Sequence, residues 1–132
     1  MKGIFIVALF LGLVSCKKDL RMVNADIVGT WEMEKYSGYP FNQPTLPPGN
    51  GKIIVIGENG LFERKQQDTL LYRGSYSLDK KKDCYEDAKK ITFSTSDGSG
   101  TFSFIEVSEG KLLLSTPNCY TDGGITSFRR LR

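Results

Sequence analysis

The stretch IVGTWEMEKY, residues 27–36, decides the fold class. Its side chains sort on alternate positions: Ile27, Gly29, Trp31 and Met33 share one face, and Val28, Thr30, Glu32 and Glu34 the other. A period of two is that of a β-strand with one covered face. The Trp31 face is therefore expected to point into a core, and the glutamates to point outward.

The same kind of reading recurs beyond Asp26, where no stretch carries a helical period. Strands are predicted at residues 27–36, 52–57, 61–66, 70–78, 89–95, 101–108, 111–116 and 125–131, eight in all. The connections GENG (57–60), SDGSG (96–100) and EG (109–110) suit hairpins, so sequential neighbours should pair antiparallel. Closing such a meander removes the unpaired edges that would invite aggregation. The predicted fold is all-β: an eight-stranded antiparallel up-and-down barrel. The exception to regular pairing is SGYPFNQPTLPPGNG, residues 37–51, which holds four of the chain's five prolines. Proline cannot donate to a strand ladder, so this segment is expected as a long first loop, a lid over the open end.

Alternation also assigns the interior. Tyr72, Gly74, Tyr76 and Leu78 should face inward against Arg73, Ser75 and Ser77, and Ile91 and Phe93 inward against Thr92 and Ser94. Phe62, Phe102, Phe104, Leu112, Leu114 and Phe128 are expected to complete the interior. A barrel of eight strands is just wide enough to be filled by side chains or to hold one small ligand, and this many aromatics predict filling.

The N-terminus carries a different message. Lys2 precedes an uncharged, largely apolar run at residues 4–14, the pattern of a signal peptide. The run falls short of the roughly 20 residues that a membrane-spanning helix needs. Leu13, Val14 and Ser15 followed by Cys16 resemble the lipobox of bacterial lipoproteins. That resemblance implies cleavage before Cys16, acylation of Cys16 and anchoring through the acyl chains, each buried methylene adding about 0.8 kcal/mol. It divides the chain into a signal peptide (1–15), a lipidated tether (16–25) and one barrel domain (26–132). Lys17 after the cysteine implies passage to the outer membrane of a Gram-negative-type envelope, with periplasmic and surface-facing placement both open.

Removing fifteen of 132 residues leaves 117, the size of one domain, and losing Lys2 lowers the formal net charge from +3 to +2. That balance demands no nucleic acid. The lysines Lys80, Lys81 and Lys82 are flanked by Asp79, Asp83, Glu86 and Asp87 and read as a solvated loop. Once Cys16 is acylated, Cys84 and Cys119 remain in an oxidising compartment, where a disulfide is the natural pairing. It would span 35 positions, worth about 4 kcal/mol on the chain-entropy account.

The sequence lacks the commonest general base and metal ligand, since it contains no histidine. No phosphate-binding glycine loop, nucleophile elbow or metal-binding cysteine spacing occurs. The carboxylates Asp83, Glu86 and Asp87 match no calcium loop, and Asp97 and Asp122 beside glycines read as turns. No enzymatic activity, cofactor or metal is expected.

The GTW of Gly29, Thr30 and Trp31 at the head of the first strand, with FRR at Phe128, Arg129 and Arg130 in the last, resembles the lipocalins and, more closely, bacterial lipocalin-like lipoproteins. The resemblance spans residues 26–132. It implies a closed barrel end in which Trp31 packs beneath a basic residue from the far end of the chain. Arg130, on the Phe128 face, matches that residue best, so Gly29, Trp31, Phe128 and Arg130 form the implied floor. Two functions follow, both for a monomeric domain. One is a carrier of a small apolar ligand, with Tyr39, Phe41, Tyr72, Gly74 and Tyr76 as candidate ligand-binding residues. The other is a protein-interaction or inhibitor module on a filled barrel.

Overall fold

A computed structural model describes residues 25–84, 86–117 and 122–131. After a helical turn at 25–27 the described residues form eight strands: β1 (Gly29–Gly38), β2 (Lys52–Ile56), β3 (Leu61–Gln66), β4 (Thr69–Asp83), β5 (Glu86–Thr95), β6 (Gly100–Ser108), β7 (Lys111–Ser115) and β8 (Gly124–Arg130). Each pairs antiparallel with the next, and β8 returns to β1 to close the barrel. Tight turns set this order. Gln67 and Asp68 join β3 to β4 with φ of 47° and 66°, and Glu109 and Gly110 join β6 to β7 with φ of 49° and 77°. Two successive positive φ values match the right-handed twist of hairpin strands.

The core lies toward one end, here called the floor. Trp31, Ile54, Ile56, Phe62, Tyr76, Ile91, Phe93, Ile105, Leu112, Leu114 and Phe128 bury their side chains there, with Ile27 packed beneath them. Gly29 opens β1 at a φ of 148°, a conformation that a side chain would oppose, and this lets the chain turn from the helical segment into the wall.

Three expectations need correction. First, Lys80, Lys81 and Lys82 are exposed but do not form a loop, because β4 continues to Asp83 and pairs them with Lys89, Ala88 and Asp87 of β5. Second, Phe102 and Phe104 do not face the interior. In β6 the residues aligned with inward Ile91 and Phe93 are Ser103 and Thr101, and Ile105 and Val107 sit opposite Leu114 and Leu112. Phe102 is half exposed on the outer wall, with the Lys90 ammonium 5.4 Å from its ring centroid, and Phe104 is buried outside the core cluster. TFSFIEV holds apolar residues on both parities, and the floor takes Ile105 and Val107.

Third, residues 39–51 are a strap and not a lid. They fold back along the upper edge and outer face of β1, where β2 is too short to reach: the Gln43 N–H donates to the Tyr36 carbonyl at 3.0 Å and the Leu46 N–H to that of Glu34 at 2.7 Å. An exposed strand edge is thereby satisfied. The Asn50 side chain donates to the Met33 carbonyl at 2.9 Å. Beneath the strap Glu32, expected in solvent, is 1% exposed. Its carboxylate accepts the N–H groups of Gly49 and Gly51 at 3.1 and 3.2 Å. The Arg129 Nε lies 3.4 Å away, close enough for an ion pair but misaligned for a hydrogen bond, while Arg129 Nη2 donates to the Leu46 carbonyl at 2.6 Å.

Candidate functional site: a cavity open at the upper end

Above the floor the barrel is not filled. A cavity of about 460 Å³ opens between the β5–β6 and β7–β8 connections, within the range of pockets that hold small molecules. Its origin lies in side-chain size. The lower wall is built from Ile54, Phe62, Phe93, Leu114 and Phe128, whereas the upper wall carries Thr95, Thr101, Ser103, Ser115, Thr126 and Gly124. With Ser103 and Thr101 in place of two phenylalanines, the upper layer cannot span a bore of this width. The expectation of a side-chain-filled barrel is thus overturned above the floor.

A bulge shapes the mouth. Between Met33 and Lys35 the β1–β8 register shifts by one residue, so Tyr36 pairs with Thr126 and turns inward in the place that unbroken alternation gives to Lys35. The Tyr36 ring lies across the glycines of the upper rungs: a Cβ on Gly124 would come within 2.8 Å of its Cε2.

Deeper, Arg64 enters the bore from β3. It shares the inward parity of Phe62, and its guanidinium reaches over the floor with Cζ 5.5 Å from the Phe128 ring centroid. Arg64 Nε donates to the Tyr72 hydroxyl at 3.2 Å. The Phe62 ring meets Tyr72 edge-on at 6.2 Å and Phe93 at 4.7 Å, so an aromatic wall backs the cation.

At the rim, Asp97 closes the β5–β6 turn. Its Oδ1 accepts the hydroxyls of Thr95 and Ser99 at 2.5 and 2.6 Å and the Ser99 N–H at 2.9 Å. The Ser99 side chain first, then that of Thr95, lowers its pKa to about 2. Tyr76, by contrast, titrates above the usual phenol range because burial disfavours its phenolate.

The floor is a separate device. The Arg130 Cζ stands 4.1 Å from the Trp31 ring centroid, and its terminal nitrogens donate to the carbonyls of Val28 at 3.0 Å and Asp26 at 2.6 Å. Trp31 Nε1 donates to the Ile27 carbonyl at 2.8 Å. Arg129, the neighbouring candidate, turns outward to Glu32 and the strap.

The structure scatters the candidate ligand-binding residues. Tyr72 lines the cavity. Tyr76 lies in the core below it, its hydroxyl donating to the Gly57 carbonyl at 2.8 Å. Gly74 belongs to the wall itself, since a Cβ there would overlap the Ser94 carbonyl of β5. Tyr39 and Phe41 are 74% and 70% exposed on the strap, outside the cavity lining. Cys84 sits half-buried at the β4–β5 tip with φ of 63°, while Cys16 and Cys119 lie outside the described residues. Among the described residues no cluster of side chains suits a metal ion. Arg64 and Tyr36 were not anticipated: LFERKQ places Arg64 on the Phe62 face, a legible signal, whereas Tyr36 depends on the bulge.

No family model, curated protein or solved structure matches the chain.

Proposed function

We propose that this protein is a lipid-anchored, lipocalin-like binding protein of the bacterial cell envelope that holds one small ligand inside its barrel. The cavity of about 460 Å³ carries this reading. A domain whose sole task was to present outer loops would gain stability from filling that space. The lipobox-like LVSC at residues 13–16 supports acylation of Cys16, Lys17 after it supports passage to the outer membrane, and GTW with the Arg130–Trp31 stack supports the lipocalin-like assignment. In an oxidising envelope Cys84 pairs with Cys119.

The test is mass spectrometry of the full chain expressed in a Gram-negative host. The intact protein should carry an acyl mass at Cys16 that Cys16→Ser abolishes. Native spectra from mild detergent should show a small molecule that denaturation releases. A protein isolated without added mass, unable to bind any of a panel of apolar dyes, would refute the binding reading.

One observation favours the second reading, a protein-interaction surface. Tyr39 and Phe41 are large, exposed and carried on a strap fixed by hydrogen bonds on both sides of them. Tyr39→Ser/Phe41→Ser would abolish partner capture on that reading and leave ligand occupancy unchanged on the first.

A further inference from the structure

We infer that the ligand is a compact organic anion, seated with its carboxylate or equivalent two-oxygen acid on Arg64 at the base of the cavity. This rests on the binding reading above and specifies its ligand class.

The comparison among the arginines carries the inference. Arg130 places its terminal nitrogens on two backbone carbonyls. Arg129 places Nη2 on the Leu46 carbonyl and faces the Glu32 carboxylate. Among the described residues Arg64 has only its Nε engaged, by the Tyr72 hydroxyl, and no carboxylate of them lies within ion-pair reach of it. Yet Arg64 is half-buried, stacked over Phe128 and lining the cavity. Its stem and one face are fixed by the protein, and the fork of Nη1 and Nη2 has no acceptor among the described residues. A guanidinium held in that way presents a planar pair of donors matched to a carboxylate.

The walls narrow the class further. Apolar contact is offered beside the guanidinium by Phe62, Phe93 and Leu114, and hydroxyls follow toward the mouth at Thr101, Ser103 and Thr126. A long alkyl tail rising from Arg64 would run into that hydroxyl zone. A short, bulky apolar or aromatic body fits better, with polar substituents toward the opening. Asp97 and Asp122 stand at the rim, and an arriving anion must pass them. Both are exposed, and charges in solvent are heavily screened.

The experiment uses a matched pair of probes on the mature acylated protein in detergent: 1-naphthylacetate and 1-naphthylacetamide, alike in shape and differing in charge. Calorimetric titration should show the carboxylate binding at least tenfold more tightly than the amide. Arg64→Met should reduce that ratio to about one by weakening the carboxylate alone, Arg64→Lys should retain part of it, and Tyr72→Phe should leave a clear preference because the terminal nitrogens remain. Equal binding of both probes to the wild type, or a preference that survives Arg64→Met, overturns the anion inference and leaves the pocket reading standing. Binding of neither probe overturns both. The wild-type comparison needs no variant to fold.

Discussion

Replacing Glu32 with alanine should destabilise the barrel by about 3 kcal/mol, although the residue lies on the outer face of a strand and far from the cavity. The carboxylate is 1% exposed and accepts two backbone N–H groups at 3.1 and 3.2 Å. Hydrogen bonds to a charged acceptor contribute about 1.5–3 kcal/mol each, and two long, part-buried ones belong at the lower bound. Removing one partner of a fully buried ion pair costs about 3–5 kcal/mol. Here Arg129 keeps the Leu46 carbonyl and a side chain 22% exposed, so its share is a fraction of that. Alanine also loosens the end of the strap at Gly49 and Gly51, exposing to water groups that the native fold covers. The assay is urea unfolding followed by Trp31 fluorescence, which reports the core cleanly because the chain has one tryptophan. The midpoint should fall with an unchanged slope, and limited proteolysis should cut first within residues 39–51. A loss below about 1 kcal/mol, with the strap still protected, would show that the backbone bonds of the strap suffice and that the buried carboxylate is incidental.

Other positions give sharper contrasts. Gly74→Ala should cost about 3 kcal/mol by the same assay, because the new methyl meets β5 backbone atoms that cannot rotate away, whereas Gly98→Ala, with open space around it, should show only the smaller penalty of its φ of 83°. Arg130→Met should cost about 1 kcal/mol, since a cation–π contact is worth about 0.5–2 kcal/mol and the carbonyls it leaves are exposed to water; the Trp31 emission should shift. Asp97 has a pKa lowered from 3.8 to about 2 in the folded protein. The folded state therefore binds its proton less readily than the unfolded chain, so its contribution is present above about pH 4 and is lost as pH falls through about 2. NMR titration of the carboxyl should show that midpoint, and Asp97→Asn should flatten the acid limb of the stability curve in that window.

Much of the wall was legible because period-two patterning and turn chemistry are local signals. The strand at residues 61–66 coincides with β3, and the GENG and EG turns fall where hairpins need them. What failed was long-range. The inward face of β6 could not be chosen from TFSFIEV, because both parities are apolar and the outcome depends on which rung β5 and β7 offer. The same choice decides whether the barrel is filled, so the cavity was hidden with it. The prolines of residues 37–51 argue correctly against strand, yet nothing local says that Glu32 and Arg129, distant in sequence, will pin that segment to the outer wall. Tyr36 became a cavity residue through a bulge, and a bulge reverses the alternation on which the face assignment rests.

A ligand of this protein sits in the cavity and not on the strap. Backbone and side-chain NMR spectra recorded through a titration with 1-naphthylacetate test it directly. Shifts concentrated at Tyr36, Arg64, Tyr72, Ser103, Leu114 and Thr126, with Tyr39, Phe41 and the rest of the strap unmoved, are the result predicted. Shifts confined to the strap or scattered over the outer wall, with Arg64 and Ser103 unchanged, would contradict it.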